Sequence, residues 1–487
     1  MLASPSDAGT EALLELLKVL RDRGTISQNE FEALRHAAKD DKEKKVSKRE
    51  QGERKTKQAT VTTTNSKEKN SKKESASITL GENGLEIESR NGNFKAEIGG
   101  RLQVDAQANF NDESGPLNTH LYNGTSIRRA RIHVGGTLYK DFNYKFEYDF
   151  TRAGNRPTAT GITDAWLQYA HFKPFSITMG QFKEPFSLAS VTSNRFITFI
   201  ERPLLNNAFV EFPNPYKLGI SAESYGTRWT VRTAFQTENS GRNTSISDTS
   251  YEAVGRTTFL PIYNGPTQIL HLGASGAYTW VNNTFDSAAG ELKNSPLIFA
   301  SQPYTNVDRT PWVTTGPLTT KLGPDHKRLD RVGRFGAELA GVYGPFSFQS
   351  EYTRVNLSGI GYSGDDVLDG YYAFISYFLT GESRVYENKR GAFGRLKPKR
   401  NFDLGNGWGA WEVAVRWDQL DMNTDNVNGG NIQTATIALN WYVNPHVRFM
   451  ANYGYVVDIN TRAANPAIAK FNGLNPSILE FRAQIDW

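Results

Sequence analysis

The chain has no cysteine among its 487 residues. Disulfide staples, thiolate nucleophiles and zinc–cysteine sites are therefore excluded. No apolar run reaches the roughly 18 residues that a membrane-spanning helix needs. The seven histidines (His36, His120, His133, His171, His271, His326 and His446) show no metal-ligand spacing, and no GxSxG nucleophile elbow occurs. We expect no enzyme, no catalytic residues, no metal and no cofactor. The formal net charge of +5 is modest, so where the charge sits matters more than its sum.

What is present is a long period of two. In Phe94 to Phe110, Ala96, Ile98, Gly100, Leu102, Val104, Ala106, Ala108 and Phe110 are apolar or small, and the residues between them are mostly polar. Such alternation marks an extended strand with one oily and one wet face. The pattern returns in Phe142–Phe150, Trp411–Trp417, Val447–Tyr455 and Leu479–Trp487, often with aromatics near the strand ends. Long alternating strands with aromatic ends, tight turns at Tyr139-Lys140-Asp141 and Lys173-Pro174, and longer loops near 111–126, 152–161 and 183–212 describe a membrane β-barrel. A β-sandwich would need shorter strands and two opposed oily faces. About 400 residues at roughly 10 per strand predict an all-β transmembrane barrel of about 16 antiparallel strands, wide enough for an aqueous channel.

The start of the chain differs. Leu13, Leu16, Leu17 and Leu20 fall at helical spacing, and Ser27 with Glu30 makes a capping box ahead of Phe31 and Leu34. We expect a short α-helical, coiled-coil-like module over 1–38 and a basic flexible linker over 39–77, with the barrel over 78–487. The first residues carry no recognisable export signal; a barrel bound for the outer membrane must cross the inner one, so we expect that signal to have been trimmed or replaced. The module and linker (residues 1–75) could contact the cell wall, with a structural tether as an alternative or added role. A nucleic-acid partner is not expected.

Strand alternation assigns the lumen. Arg101, Arg129, Arg131 and His133 point inward, as do Arg232, Arg416, Arg448 and Arg482; Arg128 falls on the nominal lipid side, close to the interface. Glu97, Glu147, Asp149, Glu412 and Asp418 face the same space. The loop 183–212 is too apolar for a solvated loop (Phe186, Leu188, Phe196, Ile197, Phe199, Ile200, Leu204, Leu205), so we expect it to fold inward and narrow the pore, bringing Arg195 and Arg202 with it. Guanidinium groups in a narrow wet pore favour anions, and a general diffusion pore is the alternative. No clear arginine ladder is visible in the later half.

Blocks IGGRLQVDAQ (98–107), RRARIHVGGTLYKDFNYKFEYDF (128–150), GQFKEPFSL (180–188), TSNRFITFIERPL (192–204), GYYAFISYFLTGESRVY (370–386), GAWEVAVRWD (409–418) and LNWYVNP (439–445) resemble the phosphate-selective porin O/P family of bacterial outer membranes. That resemblance implies a 16-stranded trimeric barrel in outer-membrane lipid, with an inward third loop and an arginine-lined path for phosphate or other small anions. The family's first-strand arginine falls on Arg101, its third-loop arginine on Arg202, and its paired second-strand arginines on Arg128 and Arg129. A family lysine falls on Ser190 and a family acidic residue on Thr163. These two departures leave broader anion passage open beside phosphate selectivity.

Overall fold

The computed structural model describes residue 32 and residues 76–81, 84–110, 121–153, 161–211, 214–237, 249–303, 307–462 and 465–487. The helical module expected over 1–38 and nearly all of the linker expected over 39–77 lie outside the described residues.

Sixteen strands make the barrel wall. The first eight are β1 (Phe94–Phe110), β2 (Gly124–Leu138), β3 (Phe142–Asp149), β4 (Ile162–Tyr169), β5 (Ser176–Lys183), β6 (Tyr216–Tyr225), β7 (Trp229–Thr237) and β8 (Tyr251–Tyr263). The second eight are β9 (Gln268–Trp280), β10 (Arg328–Tyr343), β11 (Phe346–Ile360), β12 (Val367–Phe378), β13 (Ala410–Asn423), β14 (Asn428–Tyr442), β15 (Val447–Asn460) and β16 (Ser477–Asp486). Each pairs antiparallel with the next, and β16 pairs back onto β1 from Ser477↔Phe110 to Asp486↔Arg101. That last pairing closes the sheet and removes its edges. A hairpin (Ala76–Gly81 and Gly84–Ser89) extends the sheet outside the ring by pairing with the start of β1.

Burial follows the period of two. Leu102, Val104, Ile132, Phe146, Val415, Ile437 and Phe481 are exposed, while Arg101, Gln103, Asp105, Glu147, Arg416 and Arg482 are buried. So many large apolar side chains outside and charged ones inside suit a wall between lipid and a polar lumen. Two aromatic girdles border it. At the short-turn end Trp411, Trp441 and Phe449 stack with ring centroids 5.4 and 5.7 Å apart. At the other end Tyr278 meets Trp280 edge-on at 4.9 Å.

At the short-turn end one connection is long. Residues 379–409, between β12 and β13, sit at the short-turn end yet turn back into the barrel. From the opposite end the third long loop folds inward over 184–211 as expected, and Phe186, Leu188, Ile200, Leu205 and Phe209 are fully buried. Full burial of such a side chain stabilises by about 1.5–3 kcal/mol each, so the loop carries its own apolar core into the lumen. The wall is shaped for it: a Cβ on Gly336 would lie 3.1 Å from the Phe186 ring, and one on Gly370 would lie 3.0 Å from Leu205 Cβ. The stretch 281–303 adds a layer, with Phe299 against Phe209 at 5.6 Å and the Ser301 hydroxyl donating to the Leu204 carbonyl at 3.2 Å.

Candidate functional site: the lumen constriction

An inward loop brings backbone polar groups that have no sheet partners and must be satisfied. Charged side chains of the wall do this. Arg334 (β10) donates to the Phe209 carbonyl at 2.7 Å and Arg416 (β13) to that of Glu201 at 2.9 Å. Arg448 (β15) donates to Ile197 and Thr198 at 2.7 and 3.2 Å, and Arg482 (β16) donates to Ile200. Wall carboxylates take the amides: Glu351 accepts from Leu188 and Ala189 at 3.0 and 2.7 Å, and Asp418 from Leu204 at 3.2 Å. Hydrogen bonds to charged groups contribute about 1.5–3 kcal/mol each. The third loop is therefore fastened, not merely tucked in.

The six arginines expected to line the pore all lie inside the barrel, but they divide. Arg128 is a correction to the alternation: a β-bulge between Gln103↔Arg129 and Val104↔Ile127 inserts it, so both Arg128 and Arg129 turn inward. Arg128 forks onto Glu201 at 2.6 and 3.1 Å, and Arg129 donates to Gln103 at 2.8 Å and lies 3.9 Å from Glu201. Burial pushes the Glu201 carboxyl up, but Arg128, Arg129 and Arg482 outweigh it and hold it well below the usual carboxylate range. Arg131 is shared among Asp149 (2.7 Å), Glu147 (2.8 Å) and the Tyr216 hydroxyl (3.1 Å).

Arg101, Arg195 and Arg202 instead line a cavity of about 330 Å³ between the third loop and β3–β8. Arg101 is on Glu147 at 2.7 Å and on Asn194 of the loop. Arg195 is 3.8 Å from Asp486 and leaves its Nε unpartnered. Burial, with repulsion from Arg101, lowers Arg195 to about 10 despite Asp486; a second anion would relieve that repulsion. Arg202 donates to the carbonyls of Ala189 and Thr192 at 2.7 and 2.8 Å, which closes the loop on itself. Nine cationic side chains line this cavity (Arg101, Lys145, Lys183, Arg195, Arg202, Arg232, Arg256, Lys389 and Arg390) against four acidic ones (Glu147, Asp164, Glu184 and Glu223).

The model of the family described as phosphate-selective porin O and P matches residues 96–487. The chain belongs to this family. It is an outer-membrane porin, a channel rather than an enzyme. It is 29% identical over 384 residues to Porin O of Pseudomonas aeruginosa, across 76% of this chain and 84% of that one. Among solved structures it is similar to a loop-deleted OmpT, an outer membrane protein of Vibrio cholerae, at TM-score 0.48 and 10% identity over 81% of this chain and 100% of that one. It is also similar to an anion-selective porin from Comamonas acidovorans, at TM-score 0.46 and 10% identity over 80% and 99%.

Within the porin family, the two departures have visible surroundings. Where a lysine was implied, the Ser190 carbonyl receives Lys183 Nζ at 2.8 Å, so an ammonium group reaches the same spot from the end of β5. Lys183 also meets Glu211 at 2.6 Å. Where an acid was implied, Thr163 is buried and donates to Glu147 at 2.9 Å. The later half of the porin does carry a row of buried arginines, namely Arg334, Arg384, Arg416, Arg448 and Arg482. Sequence reasoning missed Arg334 and Arg384, together with Lys183, Arg256, Lys389 and Arg390. Strand alternation alone would have placed Arg256 with Glu252 and Val254.

Proposed function

We propose that this porin conducts small anions, phosphate among them, through the 330 Å³ cavity past Arg101, Arg195 and Lys183. The observation that carries this is the excess of nine cationic over four acidic side chains in its lining. Such a surplus in a narrow, poorly screened space attracts anions and repels cations. Arg128, Arg129 and Arg131 act on the path from their ion pairs; Arg202 acts by shaping the loop. Single-channel recording in a planar bilayer under a chloride gradient, followed by added phosphate, tests the proposal. An anion-side reversal potential with phosphate block supports it, and a reversal potential near zero would demote the channel to general diffusion. Ser190 and Thr163 favour weak phosphate preference over tight.

A homotrimer in outer-membrane lipid fits the wall. β3, β4 and β5 have 8 residues each, short of the roughly 9–11 that a lipid-facing strand needs. A neighbouring copy suits that side better than lipid, and light scattering in detergent would read a monomer mass if this is wrong. The basic stretch within residues 1–75 suits an anionic cell wall. Deleting it should loosen the envelope without changing conductance.

A further inference from the structure

Arg384 lies on the inward segment 379–409 and is 7% exposed. Every other buried arginine among the described residues has a carboxylate oxygen between 2.5 and 3.9 Å away. None is found for Arg384. Its guanidinium stacks on Phe393, 3.6 Å from the ring centroid, and lies 5.2 Å from that of Phe374. Nη2 donates to Gln349 at 3.1 Å, and Nη1 has no hydrogen-bond partner. A buried charge without a counterion is costly, and a buried unpaired donor adds to that cost.

Arg384 borders a separate cavity of about 20 Å³, with Arg202, Arg416, Thr192, Thr198 and Tyr372 among its neighbours. That volume suits one particle near the size of water. The charges around it are already matched except one. Arg416 has Asp418 at 2.6 Å, Arg202 has Glu211 at 3.6 Å, and Glu201 is held by Arg128 and Arg482 at 2.6 and 2.8 Å. The surplus positive charge is that of Arg384, because Glu412, the carboxylate that acts on it most strongly, is shared with Arg448 at 3.9 Å.

We propose that this cavity is a halide site, holding one chloride against the unpartnered Nη1 of Arg384. A halide neutralises the surplus where water cannot, and it fits where a tetrahedral oxyanion such as phosphate is too large. Bound there, the ion joins Thr192 and Thr198 of the third loop, Arg384 of the inward segment and Arg416 of the wall. It thereby holds the constriction together. Thr192 and Arg202 also line the larger cavity, so this resident ion neighbours the path of the travelling ones without lying in it.

Crystals of the full-length porin grown in bromide test this. A bromine anomalous peak within hydrogen-bonding reach of Arg384 Nη1 is expected, and the thermal midpoint should rise with chloride but not with gluconate at equal ionic strength. In Arg384→Met both the peak and the chloride dependence should be lost. Density at the site without anomalous signal would mean a water and overturn the proposal, as would a chloride dependence that survives in Arg384→Met. The wild-type bromide measurement decides the matter even if the variant does not fold.

Discussion

The two walls of the lumen use the same residue type for opposite ends. Behind the third loop, Arg416, Arg448 and Arg482 on β13, β15 and β16 are almost wholly buried; all three donate to loop carbonyls, and Arg416 and Arg482 also to wall carboxylates. Across the cavity, Arg195 (17% side-chain exposure), Arg232 (30%) and Arg390 (56%) are open to whatever passes. Counting lumen arginines therefore overstates anion selectivity. A guanidinium whose five donors are occupied is masonry; one with a free edge is a binding group.

The sharpest way to break the comparison is Arg482→Ala. It leaves Asp105, which Arg482 meets at 2.7 Å, buried without its counter-charge, and takes from Glu201 one of its cations, at 2.8 Å. The expected cost is about 3–5 kcal/mol. Denaturant unfolding should shift accordingly, and single-channel conductance should rise as the loop loosens. Unchanged conductance would mean that the loop is held by its apolar core alone.

Acid should do the same reversibly. The folded value of the Glu201 carboxyl lies well below its ordinary one, so its ion pairs stabilise the porin above the ordinary carboxylate value of about 4.3. That contribution is lost as pH falls through the depressed folded value. Recordings stepped from pH 7 to pH 3 should show conductance climbing only at the acid end. A rise already complete at pH 6 would assign the effect to other groups.

On the open wall the expected effect moves from stability to selectivity. Arg195→Ala should keep the fold and lower the anion-to-cation permeability ratio by up to about tenfold, equivalent to about 1.4 kcal/mol. The reversal potential reports it. The smallest effect is expected from Lys389→Gln at the exposed end of the cavity. Anion conductance should fall modestly in dilute salt and hardly at all near 1 M, where the screening length is about 3 Å. A loss that persists in high salt would make Lys389 a binding residue instead of an attractor.

Much of this was legible in the sequence, because a period of two fixes which face meets lipid. The inward third loop was legible too, since Phe186, Leu188, Ile200 and Leu205 had no other place to hide. Arg128 was not, because a bulge in one strand shifts the alternation by one, and nothing in RRARIHV marks where the extra residue sits. The segment 379–409 was missed although its length, on the side of tight turns, was itself a signal. Least legible was the division of the arginines. Whether a guanidinium faces a carbonyl or an open cavity depends on contacts such as Arg448 to Ile197, 251 positions away in sequence.

The closure of the sheet bears on how this molecule is assembled. Trp487 exchanges both backbone hydrogen bonds with Gly100 at 3.0 Å, so it seals the closing strand onto the first one. The same closing strand carries Arg482, which bridges Asp105 on β1 and Glu201 on the third loop. Contacts of such long range make for slow folding. They also make the seam a checkpoint. A barrel that zipped shut with the third loop still outside would trap Arg482 and Glu201 without each other, so sealing the wall and setting the constriction become one late, cooperative step.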